Sequence, residues 1–269
     1  MTEDLLSPLE DWCVSRGYPS PRGLLMGLGS VVVFQVVVFA YYWFRRVVTK
    51  PQTIQKNPPP DSTLSADLWA HLSSPESFLL VFGYLSSAWM LRLLPSSYYD
   101  LETPAAWYKV LAQFLVVDFF TFVDHRIEHN WPSLYKVSHK FHHRFINPKL
   151  YNAFNGSVPD TVSLILIPLF LTAWTTHLLT PVACWDFIFF GTLYASQFTL
   201  IHCEFAHPWD PLLRLLGVGT AADHNVHHAI VTSNYGHFFM YWDRLTGTYK
   251  SPEQVSKMRC FKPADLKSD

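Results

Sequence analysis

The stretch VDHRIEHNWPSLYKVSHKFHHRF, Val123–Phe145, packs five histidines into nineteen positions, His125 to His143, directly after an apolar run. Their spacing decides what the crowding is for. His125 and His129 form H-x-x-x-H, His139, His142 and His143 form H-x-x-H-H, and His224, His227 and His228 repeat that second pattern. On a helix, positions i, i+3 and i+4 share a face, so each box is expected to present its rings in one direction. Neutral imidazole is a ligand for iron, zinc and copper, and these eight histidines offer more nitrogens than one four-coordinate zinc can use. Two metals are expected. Iron is the redox-capable choice, because zinc has no redox chemistry of its own. A solvated helix face would account for one such box alone. A proton-sensing cluster would not explain why two distant boxes repeat one pattern.

Around the boxes the sequence turns towards lipid. Of 269 residues, 49% are hydrophobic, 16% aromatic and only 15% charged, against the ~25% charged share of soluble domains. A net charge of −1 argues against a nucleic-acid partner. Cys13, Cys184, Cys203 and Cys260 are scattered, without C-x-x-C or zinc-finger spacing, so no disulfide framework is expected. Leu24 to Phe44 supplies twenty-one uncharged residues, enough for a span of roughly 20. Its distance from the N-terminus, its length and the Arg45-Arg46 pair that follows set it apart from a signal peptide. Weaker candidates are Phe78 to Leu94, Trp107 to Val123, Val162 to Leu179 and Ala183 to Ile201, giving four or five spans in all.

Basic residues gather on the side of the first, third and fifth exits, which the positive-inside rule makes cytoplasmic. That side holds Arg45, Arg46, Lys50 and Lys56, then Arg126, Lys136, Lys140, Arg144 and Lys149, and all three boxes. The expected fold is all-α: an integral membrane helical bundle with a cytoplasmic, histidine-rich di-metal cap. Residues 1–63 would carry the first span and a proline-rich linker, PQTIQKNPPPDST; 64–250 the catalytic domain; 251–269 a cytoplasmic tail. Asp118 lies on the helix face of His125 and His129 and is a candidate to orient a ligand histidine. Asp124 and Glu128 flank the ligands and read as solvated.

The order HRIEH, HKFHH, an apolar hairpin and HNVHH resembles the fatty acid hydroxylase superfamily, which includes sterol desaturases, sterol hydroxylases and C-4 methyl sterol oxidases. The tail, Asn234-Tyr235-Gly236, Trp242-Asp243-Arg244 and Gly247-Thr248, looks most like sterol C-5 desaturases. The resemblance adds His202, in IHCEFAHPWDPLLRLLGVG, as a ninth metal ligand and marks Asn234 and Tyr235, with Asp118, as candidate catalytic positions. His207 fits the pattern less well and reads as a surface residue; His237 lies within reach of the site or serves structure; His71 and His177 read as ordinary. Two departures stand out: NAFNGSVPD, with Asn155 and Pro159, where relatives place a His-Pro dipeptide, and an ending, FKPADLKSD, without the dilysine of reticulum-resident relatives.

By resemblance the chain is a non-haem di-iron oxidoreductase of the endoplasmic reticulum membrane. It would use dioxygen to desaturate or hydroxylate a sterol or sterol precursor reached from within the bilayer. Electrons would come from cytochrome b5 or a similar carrier fed by NAD(P)H, since the chain has no dinucleotide-binding glycine fingerprint and no haem motif. The basic cytoplasmic side offers a surface for an acidic carrier. Fatty-chain hydroxylation and oxygenation of squalene or another sterol precursor are the close alternatives. A zinc-binding scaffold without catalysis is the alternative of another class, and a proton-relay transporter is the remotest.

Overall fold

Pro21 opens a helix at the one place where proline's missing amide costs nothing, and Ser20 caps that helix by accepting from the Gly23 amide. The computed structural model describes residues 7–18 and 20–259. Helix α1 (Ser7–Ser15) leads to this helix, α2 (Pro21–Phe44), which runs on into a π-helical turn, Arg45–Thr49. Next come α3 (Leu64–Leu72), α4 (Pro75–Phe78), a π-helical stretch at Leu79–Ser86 and α5 (Ser87–Met90). The long α6 (Trp107–Asn130) stops at Trp131, because Pro132 starts α7 (Pro132–Val137) in a new direction. After the second box, α8 (Val158–Thr161) continues through π-helical Val162–Leu166 into α9 (Ile167–Leu179), and α10 (Cys184–Leu200) returns. The short helices α11 (Asp210–Leu215), α12 (Ala221–Ile230) and α13 (Tyr241–Thr246) complete the order.

The chain is all-α as expected: no strand occurs among the described residues, and only isolated bridges such as Thr53 with Phe205 join extended loops. α2 packs on α5 and α10, and α6 packs on α9 and α10. The α2–α5 approach is backbone-close. A Cβ on Gly23 would overlap the Trp89 carbonyl, and one on Gly27 the Leu85 carbonyl. Between the helices lies an aromatic core in which Trp89, Phe114, Phe187, Phe190 and Phe198 are buried.

Outward, α2 leaves Val33, Val36 and Val37 more than half exposed. Two described helical stretches are long and apolar enough to cross a membrane, Pro21–Thr49 and Val158–Leu179. The other expected spans are helical but shorter or more polar: α10 has 17 residues, and Phe78 to Leu94 is divided among α4, π-helical turns and α5.

Two expectations are corrected. The proline-rich segment 51–63 is not a free linker, since Ile54 is fully buried and Gln55 donates to the Ile146 carbonyl and the Asn225 side chain, beneath the third box. An isoleucine and a paired glutamine inside a proline-rich stretch are enough to anchor it. Lys149 is not part of an exposed basic surface either; it is buried against Ser62 and 3.5 Å from Asp67. The described part of the expected tail is packed too, with Met258 buried beside Ile54. Cys13, Cys184 and Cys203 are free and buried. The ending FKPADLKSD and Cys260 lie outside the described residues.

Candidate metal centre

The end of α6, a 3-10 helix and α12 bring the boxes together. His125 and His129 sit in the last turns of α6. Thr220 and Asp223 cap the start of α12 reciprocally, each side chain accepting from the other's amide at 3.1 and 3.4 Å, which sets His224, His227 and His228 along it. The second box differs from expectation: His139–Arg144 is a 3-10 helix, not an α-helix. It follows Ser138, whose non-helical backbone (φ −112°, ψ −88°) separates it from α7.

All nine expected ligands fall into two groups whose nitrogens lie within 4.8 Å of one another: His125, His129, His139, His143 and His227 in one, and His142, His202, His224 and His228 in the other. The boxes therefore do not each point one way. The outer pair of the second box, His139 and His143, joins the first group while its middle histidine, His142, goes to the second. The third box does the reverse, sending His224 and His228 to the second group and His227 to the first. The repeated H-x-x-H-H pattern thus feeds two neighbouring histidine groups, each drawing on both boxes.

The contacts are between Nε2 atoms. His125 to His139 is 2.9 Å, His129 to His143 3.1 Å and His143 to His227 3.0 Å. In the second group His142 to His202 is 3.3 Å, His202 to His224 2.9 Å and His224 to His228 3.2 Å. A metal about 2.0–2.1 Å from each nitrogen makes ligand–ligand edges of about 3.0 Å in an octahedron and about 3.4 Å in a tetrahedron. The observed separations match such edges.

Proton placement sharpens the fit. His125 Nδ1 lies 2.7 Å from the Tyr235 carbonyl, His227 Nδ1 2.8 Å from the Ser233 carbonyl and His202 Nδ1 2.8 Å from the Phe198 carbonyl. A carbonyl only accepts, so each Nδ1 carries the proton and each Nε2 is a bare lone pair. His139 Nδ1, 2.7 Å from Asp160 Oδ1, is held the same way. Facing lone pairs such as those of His125 and His139 repel unless a cation lies between them. A proton is disfavoured there: burial, reinforced by neighbouring imidazoles, holds His139, His143 and His228 well below the usual histidine value and lowers His129 to about 2. The donor set fits a pair of metal ions.

Other expected residues take different parts. Asp118 does not touch a histidine; it is fully buried and accepts from the Phe238 amide at 2.8 Å. Asn234 adopts a left-handed backbone (φ 55°), and its side chain bonds the Asp223 carbonyl and the Lys250 backbone. Tyr235 contributes its carbonyl to His125, and its ring lies 5.3 Å from that of His129. Asp243 accepts from the Tyr235 and Gly236 amides at 2.9 and 2.7 Å. The tail motif is therefore a template. It fixes the turn whose Ser233 and Tyr235 carbonyls orient His227 and His125.

Two carboxylates were missed or undervalued in the sequence. Asp160, at the start of α8, orients His139, and nothing local marks it except Ser157 capping that helix. Glu128 is not solvated but fully buried; one oxygen accepts from Ser163 and the other lies 3.7 Å from His139 Nδ1. Burial pushes Glu128 up to about 7. His207 is also buried rather than on the surface, bonded to the Tyr41 hydroxyl and facing the Leu200 carbonyl. His237 joins neither group, yet its ring is 4.9 Å from His125 and 5.4 Å from His224, and its Nδ1 is buried without a partner. His71 is buried beside Tyr151 and Phe154; His177 meets Ser97.

The chain is 41% identical over 251 residues to an alternative squalene epoxidase of Phaeodactylum tricornutum, covering 90% of this chain and 71% of that one. It is 26% identical to a probable Delta(7)-sterol 5(6)-desaturase of Neurospora crassa over 85% of this chain and 62% of that one. A sphingolipid C4-hydroxylase of Schizosaccharomyces pombe is 29% identical over 59% of this chain and 53% of that one. No solved structure matches. The fatty acid hydroxylase family pattern matches residues 110–248, from α6 through the last box to the end of the tail motif, and the chain belongs to that family.

Proposed function

We propose that this chain is a membrane-bound di-iron oxidoreductase that uses dioxygen to oxidise a lipid, and that its first substrate class is a squalene-type polyene, oxidised to an epoxide. The observation that carries the oxidoreductase reading is the pair of histidine groups built from shared boxes. The 41% identity to an alternative squalene epoxidase over 90% of the chain favours the epoxide over other products. Desaturation of a sterol at C-5 is the second reading, favoured by the tail motif and by the sterol 5(6)-desaturases at 26–32% identity.

Iron held by His125, His129, His139, His143 and His227 in one group and by His142, His202, His224 and His228 in the other would supply dioxygen activation. The chain's own residues do the rest. Every one of these histidines except His129 is buried, so bulk water is kept from the oxidising site. Asp160 and the Ser233, Tyr235 and Phe198 carbonyls hold the rings in the tautomer that leaves Nε2 free. Asp118, clamping the Phe238 amide, fixes the segment that carries His237 towards the site. One oxygen atom enters the lipid and the other leaves as water, which requires two electrons and two protons from outside. Exposed Lys136, Lys140 and Arg144 offer a landing surface for an acidic carrier of the cytochrome b5 type. Residence in the endoplasmic reticulum membrane with the boxes facing the cytoplasm belongs to the same proposal.

The test is product identification by mass spectrometry after expression in a host whose own squalene epoxidation is disabled. The expected result is an epoxide carrying one oxygen from labelled dioxygen, with about two irons bound per chain. Conversion of a C-5-saturated sterol without epoxide formation would replace the first reading by the second. Zinc alone, with no dioxygen-dependent product, would overturn both in favour of a scaffold.

A further inference from the structure

A cavity of about 380 Å³ lies between α2, the Leu79–Ser86 stretch, α9 and α10. Its surface is almost entirely carbon, supplied by residues such as Val31, Leu80, Leu169, Phe187 and Phe190. Exposed Val32, Val36 and Leu72 line it as well, so it reaches the apolar outer flank beside α2. A second cavity, of about 20 Å³, faces His139, His142 and His237. That is room for a water-sized or dioxygen-sized group and no more.

Phe154, Ile165 and Phe198 line both cavities. The Phe154 and Phe198 rings stack at 5.2 Å with 26° between their planes. Phe198 also lies 5.1 Å from His237 and 5.3 Å from His202. The wall between apolar cavity and histidines is thus one side chain thick. A slim chain tip needs one ring to rotate. A fused ring system needs both phenylalanines and Ile165 to move together, in a close-packed interior that resists it.

We propose that the larger cavity is the substrate channel, that it takes an acyclic apolar chain end-on from the lipid side, and that Phe154, Ile165 and Phe198 set how far the tip advances and so which carbon is oxidised. This rests on the lipid-oxidising function proposed above and narrows its substrate. Position selectivity follows from geometry, because a reacting carbon displaced by one bond leaves the oxidising site.

Gly191 gives a test remote from the histidines. It lines the cavity within α10, and a Cβ there would meet the Phe187 ring at 3.6 Å and Val31 at 3.8 Å, ordinary contact. Gly191→Ala should therefore be tolerated, whereas Gly191→Leu fills the channel; Leu169→Trp is a second plug should the first fold poorly. The metal-loaded, detergent-purified full chain is incubated with squalene, and retained lipid is measured by mass spectrometry beside metal content. Either plug should cut retention about tenfold while metal content, and squalene retention by Gly29→Ala outside the cavity lining, stay at the wild-type level. Phe154→Ala should retain squalene and spread oxidation from the terminal to an internal double bond.

Wild-type retention in both metal-replete plugs would overturn the channel, and an unchanged single product from Phe154→Ala would overturn the partition. Tighter retention of a sterol than of squalene would overturn the acyclic occupant. If the wild type retains squalene, loses it on plugging and yet oxidises none of it, the channel stands and the proposed function fails.

Discussion

At the scale of single residues, the geometry of the two histidine groups depends on what holds the second nitrogens as well as on the histidines themselves. His139 is the clearest case, because its Nδ1 faces the only carboxylate hydrogen-bonded to any of the nine rings among the described residues, Asp160 at 2.7 Å. Replacing that acceptor by an amide leaves the volume unchanged and removes the charge that raises ligand basicity. Asp160→Asn should weaken metal retention by about 10–100-fold, read by metal analysis after dialysis against a chelator, with the helix content unchanged. His237 makes the contrasting prediction. It lies between the groups but outside both, so His237→Ala should keep the wild-type metal content and lower turnover, whereas His228→Ala should lose metal. Equal metal loss in the two variants would make His237 a ligand. Of the nine grouped histidines, eight were legible from spacing because a repeated pattern is local, and His202 only from the resemblance. Asp160 was not, because its partner is 21 residues away and its own surroundings, SVPDT, look like an ordinary helix start.

At the scale of elements, helix type was readable where the apolar runs are long, and unreadable where it depends on neighbours. α6 and α10 run close to the expected stretches, but the second box forms a 3-10 helix and its rings part between two centres. Helical-wheel reasoning assumes 3.6 residues per turn and one target per face, and neither holds there. The segment 51–63 was misread for a related reason: proline content marks irregular backbone, not its distance from the core. Gly23 and Gly27 show the converse, a G-x-x-x-G spacing in α2 whose meaning appears only against α5. Side chains there would strike backbone carbonyls, which cannot rotate aside. Gly27→Leu should force α2 from α5 and cost about 1–3 kcal/mol or more of stability, read as a lower unfolding midpoint of the metal-loaded protein in detergent. Gly29→Leu, with nothing within 4 Å of its Cβ, is the matched control expected to change little.

At the scale of the whole molecule, burying so many basic rings couples metal, fold and pH. His129, His142 and His227 are lowered to about 2, 4 and 3, chiefly by burial, against an unperturbed value of about 6.5. Below that unperturbed value the unfolded chain binds more protons than the folded one, so stability rises with pH up to about 6.5 and falls as acid is added. Metal binding has the same sign, because protons compete for each Nε2. The metal-loaded protein should therefore hold both ions above neutrality and lose them progressively between about pH 6.5 and 4, with the unfolding temperature falling in the same window. The two groups should not let go together. The first has five donors, three of them anchored at Nδ1 and one, His143, with its Nδ1 buried without a partner; the second has four, with His202 anchored and the Nδ1 atoms of His224 and His228 buried without partners. Metal analysis along an acid titration should accordingly show two steps, and His202→Ala, which removes a second-group ligand, should delete the earlier one. A single step that His202→Ala leaves in place would mean that the shared boxes bind both ions as one cooperative unit.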